Sequence, residues 1–578
     1  MKKFYFINKI EFVIHKYIKK KYLLNNLKLE IFYNINKKIN SDITIVLFPL
    51  LKIINKKLDI IGKEIGKYLI FKKLIKNFKL INGFLNIYLE DFYYINLFNN
   101  SILEEKFCFK KKIFKKNKKK FIIIEYSSPN TNKPLHIGHL RNIILGNYIY
   151  RLYKFIGKKV IRTQLINDRG IHICKSMIAW KKFSNYKTPK KTGIKGDHFV
   201  GNYYVLFEKL LSKNKKIMSL TNNMLLKWEK GNKEILNIWK KMNYWVYSGF
   251  SKTYKKLGVN FDKTEYESKT YLLGKKIVKF GLLNNIFFKK KDGSIWVDLE
   301  KYGLGKKLLL RSNGTSVYIT QDIGTAIKRF KNSNIQKFIY IVGKEQERHF
   351  KILFTILKKL KYKWVKKLFH LSYGMINSPY GKMKSRYGNV IYADDLIKEM
   401  IILSKKSIKK NFSKKYKEKL SKIIGIGALK FFILKNNTKN TIIFNPLKSI
   451  DLKGKTSSYI QYTYVRIISI NRKNKFLNYS RKKKFFYIKI NKYEKKLIKL
   501  LELRHNIINN SIKNFNPSIL ANYIYDLCKE YNDYYQNIKI LFEKDEKITF
   551  FRIRLSCFIG KLIKNFMEIL GIEMPIKM

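Results

Sequence analysis

The chain has 578 residues, of which 46% are hydrophobic and 15% aromatic, and its 123 lysines and arginines against 39 acids give a net charge of +84. This composition excludes a disordered chain and predicts about three or four globular domains. The charge indicates a polyanionic partner such as RNA, although the lysines are spread evenly among Ile, Asn, Phe and Tyr, as codon bias in an AT-rich genome would also produce.

The cysteines and the apolar runs exclude further classes of protein. Cys108, Cys174, Cys528 and Cys557 are widely separated, which excludes a disulfide framework or a paired-cysteine zinc site and favours a reducing cytosol. Charged residues interrupt the apolar part of the N-terminus and no small-residue cleavage site follows, so we expect no secretory signal. The longest apolar stretches fall short of about 18 residues, which predicts no membrane span and a cytoplasmic location.

The first two thirds of the chain mix helical and strand patterns. Residues 1–110 predict a small α+β domain, and the lysine-rich run that ends them predicts a solvated linker. Residues 118–394 alternate short apolar runs with helical patterns, which predicts βα units around an open parallel sheet. The predicted strands are FIIIEYSS, KKVIRTQLIND, SVYITQD and KFIYIVG.

The last third of the chain is predicted to be helical. Residues 395–578 carry apolar side chains at helical spacing, which indicates an all-α helical bundle. The whole chain is therefore predicted to be a multidomain α/β protein with a central Rossmann-like nucleotide-binding domain. Ligands of such sheets bind beyond the carboxyl ends of the strands.

The segment His136-Ile137-Gly138-His139, called the HIGH turn below, follows the first predicted strand. With a helix beginning near Pro134, positions i and i+3 lie on one face, so both imidazoles can point at one ligand. The first helical turn offers unpaired N–H groups to a polyphosphate such as that of ATP, and Gly138 leaves room for a flat adenine. The alternative is a pair of ordinary surface or core histidines.

A second, basic segment lies far downstream, where Lys382, Met383 and Lys384 stand in a loop after Gly381. Such a loop can close over a triphosphate, and its alternative is a solvated charged turn. The HIGH turn followed by a KMSKS-like loop resembles the class I aminoacyl-tRNA synthetases.

Longer matches narrow the resemblance to the arginyl-tRNA synthetase family, and they extend over essentially the whole chain. The HIGH turn stands in a block similar to the family's E-x-S-S-P-N-x-x-K-P-x-H-x-G-H-x-R pattern. The segments that carry the resemblance are Glu125–Asn130, Asn132–Pro134, Leu140–Asn142, Tyr318–Asp322, Val342–Gln346 and Ser457–Arg466.

The resemblance implies an arginine–tRNA ligase. Such an enzyme activates L-arginine with ATP to arginyl-adenylate and pyrophosphate, and then transfers arginine to the 3'-terminal adenosine of tRNA(Arg). Mg²⁺ would accompany ATP, and no zinc is expected. The N-terminal domain would contact the tRNA near its D-arm, and the C-terminal bundle, of the type known as DALR, would read the anticodon. A monomer is the family's usual form.

The resemblance also implies roles for individual residues. Asp322 would receive the substrate guanidinium, a planar group with five donors, and Tyr318 would pack on it or accept from it. The alternatives are a core aromatic for Tyr318 and a helix N-cap for Asp322. His136 and His139 would donate to phosphate oxygens in the transition state. The remaining residues expected to contact arginine are Glu125, Ser127, Asn130 and Gln346.

Two departures from the family pattern stand out. The loop reads KMKSR, so its second lysine is displaced, and we hypothesise that Lys133 and Lys382 share the phosphate clamp. The segment Asn167–His172 departs from the family's G-D-W-G-x-Q, and the roles of His172 and His198 stay open.

Three other functions remain possible from the sequence. A class I synthetase of another specificity would not need the Tyr318 and Asp322 pair. A small-molecule adenylyltransferase would not carry the helical C-terminal domain. A basic RNA-binding protein that has lost catalysis would be expected to have lost some of the motif residues.

Overall fold

The computed structural model describes residues 5–23, 29–33, 41–51, 53–54, 56–108, 120–214, 217–331, 334–377, 391–408, 411–472, 484–486, 488–541 and 543–578. The chain divides into two compact units. One unit comprises residues 1–109, 466–509 and 526–562, and the other comprises 110–465, 510–525 and 563–578. The division into domains at 1–110, 118–394 and 395–578 stays a prediction.

The N-terminal residues form an antiparallel sheet with helices, in the strand order β1-β2-β4-β3. The predicted β-like segment INGFLNIYL is confirmed as a hairpin whose turn residues Asn82 and Gly83 both have positive φ, the geometry that Asn-Gly favours. The elements are α1 (Tyr5–Tyr22), β1 (Glu30–Tyr33), β2 (Ile43–Val46), α2 (Phe48–Leu51), α3 (Leu58–Phe71), β3 (Asn77–Ile81), β4 (Phe84–Tyr88) and α4 (Asp91–Cys108).

The second unit is built on a parallel sheet in the order β12-β11-β5-β6-β7. Its elements are β5 (Phe121–Glu125), α5 (Ile137–Phe155), β6 (Lys159–Ile166), α6 (Ile171–Phe183), α7 (Pro189–Thr192), α8 (Gly196–Lys213), α9 (Ile217–Glu229), α10 (Lys233–Leu257), β7 (Lys263–Tyr266), α11 (Glu267–Thr270), α12 (Leu273–Leu283), β8 (Phe288–Lys289), β9 (Ile295–Val297), β10 (Lys307–Leu310), α13 (Tyr318–Phe330), β11 (Ile335–Gly343), α14 (Glu347–Lys359), β12 (Leu368–Tyr373) and β13 (Ile376–Asn377). Because β5 is flanked by β6 and β11, its carboxyl end opens at the middle of the sheet edge where ligands bind.

Three of the four predicted strands are confirmed as β5, β6 and β11, but the prediction for SVYITQD is wrong. That segment begins the helix α13, whose buried residues Ile319, Ile323, Ala326 and Phe330 recur at helical spacing. The helix expected near Pro134 begins later, at Ile137, because the backbone of His136 is still extended and pairs with Tyr392.

The helical nature of the C-terminal part is confirmed. Its elements are α15 (Ala393–Lys406), α16 (Lys414–Leu434), β14 (Ile442–Ile443), α17 (Pro446–Ile450), α18 (Ser457–Arg472), α19 (Lys492–Glu502), α20 (Arg504–Asn514), α21 (Pro517–Asn537) and α22 (Glu546–Ile569). Strand β14 pairs in parallel with β13. Over the described residues, the helices are too short or too polar to cross a membrane.

Candidate active site

The HIGH turn caps helix α5 with its own two histidines. The N-cap His136 accepts a hydrogen bond at Nδ1 from the Gly138 backbone N–H at 3.1 Å, and His139 Nδ1 accepts from the His136 N–H at 3.1 Å. This reciprocal arrangement is a capping box, and it holds the ring centroids 3.8 Å apart. A Cβ on Gly138 would lie 3.0 Å from the His136 ring, so the glycine makes room for that ring.

The two histidines are neutral near pH 7. Burial, with a smaller contribution from the charge of Lys133, lowers the pKa of His136 to about 4. Burial, followed by His136 and Lys133, holds the pKa of His139 well below its usual range. Since both Nδ1 atoms accept hydrogen bonds from the backbone, each neutral ring carries its proton on Nε2. The turn therefore presents two N–H donors and no imidazolium charge.

The carboxyl end of β5 carries Glu125, which the structure pairs with Arg329. The Arg329 guanidinium also contacts Glu265 on β7, with Nε donating to Oε2 at 2.7 Å. Burial raises the pKa of Glu125 although Arg329 opposes it, while Arg329 keeps the pKa of Glu265 low against the effect of burial. Sequence reasoning missed Arg329, which lies on α13 and becomes a partner of Glu125 only when the sheet forms. Contact of Glu125 with arginine stays a prediction.

The turn after β5 positions Ser127 and Asn130. Ser127 has a φ of +57°, its N–H donates to Asn142 Oδ1 at 2.6 Å, and its buried hydroxyl shares a 2.7 Å hydrogen bond with Tyr254. Asn130 forms a bridge with Asn167, whose Nδ2 donates to Asn130 Oδ1 at 2.8 Å. The Ser127 side chain thus stabilises the turn, and its predicted contact with arginine stays untested.

Tyr318 and Asp322 share one face of helix α13, as their spacing of four residues requires. Tyr318 is 71% exposed, which excludes the alternative of a core aromatic. Asp322 lies within the helix rather than before it, which excludes the N-cap alternative. The N–H at Nε2 of His349 donates to Asp322 Oδ2 at 2.7 Å, and Gln346 stands exposed in the short 3-10 helix just before α14. His349 is a further partner that the sequence motifs did not indicate.

Glu267 is an acidic residue of the site that sequence reasoning missed. It directly follows β7, at the same edge of the sheet as Glu125, and it is buried. Burial raises its pKa to about 7, Arg169 lowers it, and the charges of Asp168 and Asp322 raise it. The partial burial of the Tyr318 hydroxyl raises the pKa of that residue, and the charge of Glu267 raises it further, although most of the Tyr318 side chain is exposed. Recognising β7 would have revealed Glu267, but KTEY has no apolar run to mark it as a strand.

The segment at residues 167–172, which differs from the family's G-D-W-G-x-Q pattern, holds Glu267 in place. The Asp168 carboxylate accepts from the Ser268 N–H at 2.9 Å, from the Ser268 hydroxyl at 2.8 Å and from Tyr247 at 3.0 Å. The Arg169 guanidinium lies 3.8 Å from the centre of the Tyr271 ring and pairs with Glu229 at 2.6 Å. His172 contacts Tyr204 at 3.5 Å. Asp168 therefore fixes the start of α11, where Glu267 stands.

The basic loop residues Lys382, Met383 and Lys384 lie outside the described residues. The chain that follows them is paired with the HIGH turn: Ile137 N–H donates to Ile391 O at 3.2 Å, and Ala393 N–H donates to Leu135 O at 2.8 Å. A cleft beside this pairing is lined by Lys133, Pro134, His136, Gly201, Tyr204, Val205 and Tyr392. Lys133 thus lies next to the HIGH turn, as the hypothesis of a shared clamp requires.

Known proteins match the chain along most of its length. The model of the class I tRNA synthetases (R) catalytic domain matches residues 100–446, and that of the DALR anticodon binding domain matches 460–578. The arginine–tRNA ligase of Flavobacterium psychrophilum is 46% identical over 95% of this chain and 96% of its own length. That of Bacteroides thetaiotaomicron is 44% identical over 94% of each chain.

Solved structures agree in fold. The arginyl-tRNA synthetase of Thermus thermophilus matches with a TM-score of 0.77 at 21% identity, over 99% of this chain and all of its own. That of Plasmodium falciparum matches with a TM-score of 0.73 at 21% identity, over 99% of each chain. With a histidine-capped turn after β5, the acidic residue Glu267 directly after β7 and these matches, the chain belongs to the arginyl-tRNA synthetase family of class I aminoacyl-tRNA synthetases.

Proposed function

We propose that the chain works as an arginine–tRNA ligase through the residues gathered at the carboxyl ends of β5 and β7. The observation that carries this is the group of Glu267, Asp322 and Tyr318: Glu267 stands directly after β7, and after burial the charge of Asp322 helps to raise its pKa, as the charge of Glu267 does for Tyr318. A guanidinium is always charged and carries five donors, so carboxylates and a tyrosine oxygen complement it.

The reaction has two steps. In the first, the arginine carboxylate attacks the α-phosphate of ATP, the bond to the β-phosphate bridge breaks, and pyrophosphate leaves. In the second, a ribose hydroxyl of the tRNA's terminal adenosine attacks the arginyl carbonyl carbon, and AMP leaves with the bonding pair. Because the protein does little covalent work, its task is to orient the reactants and to stabilise charge on the phosphates.

The HIGH turn supplies donors to the phosphates. His136 and His139 donate from Nε2, with their tautomers fixed by the backbone, and the first N–H groups of α5 add a partial positive charge. The neutral rings leave the compensating charge to Lys133 and Lys382, and Gly138, Met383 and Lys384 complete the ATP-binding set. Mg²⁺ enters with the triphosphate, which supplies oxygen ligands of its own.

Arginine binds with its guanidinium between Asp322, Glu267 and Tyr318. Glu125 and Asn130 hold the α-amino and carboxylate groups of arginine, and Gln346 lies close to the amino acid. The Arg329 guanidinium pairs with the Glu125 carboxylate, and Ser127 supports the turn that carries Asn130.

The partner is tRNA(Arg), and it reaches the site from outside the sheet. Residues 1–110 contact the tRNA near its D-arm, and residues 395–578 read the anticodon by stacking and edge hydrogen bonds. The match of residues 460–578 to the DALR anticodon binding domain supports the second assignment. We place the protein in the cytoplasm and expect it to bind no zinc, in keeping with its widely spaced cysteines. We also expect it to be a monomer.

Exchange of pyrophosphate into ATP, measured with each amino acid and with or without tRNA(Arg), tests the proposal. Among the amino acids, we expect only arginine to support pyrophosphate exchange. The family resemblance implies that tRNA(Arg) must also be present. Exchange with a different amino acid would reassign the pocket. Absence of exchange with every amino acid in the presence of tRNA(Arg) would favour an RNA-binding protein without catalysis.

A further inference from the structure

Asp394 stands in the first turn of helix α15 and accepts hydrogen bonds from two helices of the same unit. Its side chain is only 13% exposed. Oδ1 accepts from Lys256 on α10, and Oδ2 accepts from donors on α8, α10 and the residue before α8. The donors are Lys195 Nζ at 2.6 Å, Lys256 Nζ at 2.9 Å, Thr253 Oγ1 at 3.1 Å and His198 Nε2 at 3.3 Å.

The residues just before Asp394 are attached to the HIGH turn. Tyr392 forms an antiparallel bridge with His136, and the two flanking backbone hydrogen bonds join Ile391 to Ile137 and Ala393 to Leu135. The ring of His198 meets the Tyr392 ring edge-on at 5.1 Å, so His198 contacts both Tyr392 and Asp394. The segment Ile391–Ala393 is therefore held by the HIGH turn on one side and by the Asp394 network on the other.

The network is an ion-pair cluster rather than a metal site. Asp197, His198 and Asp394 bring one potential ligand atom each within 4.8 Å of one another. However, the Lys195 ammonium already lies 3.0 Å from Asp197 and 2.6 Å from Asp394, and Lys256 adds a second positive charge. A divalent cation would have to displace or oppose these lysines, so the cluster's own ammonium groups neutralise the carboxylates.

The charge of Asp394 persists at all working pH values. Burial raises its pKa, but the hydrogen bonds from His198 and Lys195 and the lysine charges outweigh burial and hold the pKa well below its usual range. Removing the charge of Asp394 leaves the ammonium groups of Lys195 and Lys256 to share the single carboxylate of Asp197 or to turn to solvent, which costs more than the loss of a neutral hydrogen bond.

We propose that Asp394 is a positioning residue for the HIGH turn. Its network holds the segment Ile391–Ala393 against Leu135–Ile137, and through this pairing it fixes the backbone of His136, which in turn orients the His139 ring. The consequence for catalysis rests on the proposed function, in which both rings donate to phosphate oxygens. Small displacements of such groups reduce rates strongly, because the donors must meet charge that develops in the transition state.

Hydrogen exchange tests the attachment without any substrate. In the full-length Asp394→Asn protein we expect the amides of Ile137 and Ala393 to exchange about tenfold faster than in the wild type. Asp395→Asn is the matched control, because Asp395 lies in the same helical turn but is exposed. Equal acceleration in both variants, or none in Asp394→Asn, would overturn the proposal whether or not the chain charges tRNA.

Kinetics of pyrophosphate exchange then test the catalytic consequence. In Asp394→Asn we expect kcat/KM for ATP to fall at least about tenfold while the KM for arginine stays within about twofold, since Glu267, Asp322 and Tyr318 are untouched. Lys195→Met should also lower kcat/KM for ATP, and the double variant should lose less than the product of the two single effects, because the Lys195–Asp394 contact is common to both. Faster amide hydrogen exchange in Asp394→Asn with an unchanged kcat/KM for ATP would overturn the positioning role. If the wild-type protein itself showed no pyrophosphate exchange, that result would count against the proposed function.

Discussion

The protonation state of the HIGH turn decides where the positive charge at the phosphates must come from. His136 and His139 are held neutral by burial, and their Nδ1 atoms are occupied by backbone N–H groups. They can donate hydrogen bonds, but they cannot neutralise a triphosphate. A cation close to both rings is Lys133, whose charge contributes to lowering the pKa of each. The second lysine of the KMKSR loop is displaced, which is why we propose that Lys133 shares the phosphate clamp with Lys382.

We therefore predict that Lys133→Ala lowers kcat/KM for ATP in arginine-dependent pyrophosphate exchange by at least about 100-fold, because a phosphate-contacting charge in a desolvated site contributes several kcal/mol. Lys120→Ala, which removes an exposed lysine just before β5, should stay within about twofold of the wild type. A Lys133→Ala value within about twofold would show that another cation carries the clamp.

We predict that Glu267 gives arginine binding a pH dependence. Burial raises its pKa to about 7, so in the free enzyme the carboxyl gains a proton as the pH falls from 8 to 6. The protonated form lacks the charge that a guanidinium needs, and we expect the KM for arginine to rise about tenfold over this interval. In Glu267→Gln the KM at pH 8 should be at least about tenfold higher and nearly independent of pH. Glu300→Gln, on an exposed carboxylate, should keep the wild-type profile. A wild-type KM that does not change between pH 8 and 6 would contradict this role.

The residues of the site were predictable from the sequence only where one motif carries them. His136, His139 and Lys133 stand together in one block, and Tyr318 and Asp322 are four residues apart. Glu267, Arg329 and His349 lie in segments without a marked pattern. They reach the site because β11, β5 and β7 run parallel in one sheet, with β6 between β5 and β7. Arg329 is instructive: it reads as a surface residue near the end of an amphipathic helix, yet it is buried between two carboxylates.

At the scale of elements, the central strands were predictable because they are buried on both faces and read as continuous apolar runs. The edge strand β7 is too polar for this signal, and β12, at the opposite edge of the sheet, was not predicted either. SVYITQD misled because seven residues do not distinguish alternation from the first two turns of a helix. Nothing in the local sequence of residues 374–375 or 438–440 indicates that their backbone oxygens accept hydrogen bonds from Arg141 of α5.

Arg141 joins helix α5, which begins at the HIGH turn, to residues 374–375 and 438–440. Its guanidinium is buried and donates to the backbone oxygens of Gly374 and Met375 at 2.7 Å, Thr438 at 3.0 Å and Asn440 at 2.8 Å. Burial lowers its pKa to about 10, so it remains charged at neutral pH. The segment leading to the basic loop is thus tied to the helix that carries the HIGH turn.

We expect Arg141→Met to leave these buried oxygens without a donor and to destabilise the protein by about 3 kcal/mol or more. The midpoint of thermal unfolding should then fall by about 2.5 °C or more, since the entropy of unfolding grows with chain length. Arg348→Met, on an exposed position of α14, should shift the midpoint by less than about 0.5 °C. Equal midpoints for the two variants would mean that other groups or water replace the guanidinium.

At the scale of the whole molecule, the net charge of +84 raises the question of how much of it serves tRNA binding. Some lysines have defined internal roles, as Lys195 and Lys256 do at Asp394. Most of the excess is spread along the chain rather than concentrated in one segment. A diffuse charge attracts any RNA backbone, whereas discrimination between tRNAs requires contacts to bases.

This distinction predicts how salt affects tRNA binding. Between 50 and 200 mM salt, we expect the Kd for tRNA(Arg) to rise by about 10³-fold, as for a protein that neutralises several phosphates. The Kd for a noncognate tRNA should rise with nearly the same slope, so the ratio of the two constants should change little, because base contacts release few counterions. Titrations of both tRNAs at the two salt concentrations measure this. A steeper slope for tRNA(Arg) alone would show that part of the charge is arranged for the cognate tRNA, and a cognate Kd that moves less than about twofold would show that the charge contributes little to binding.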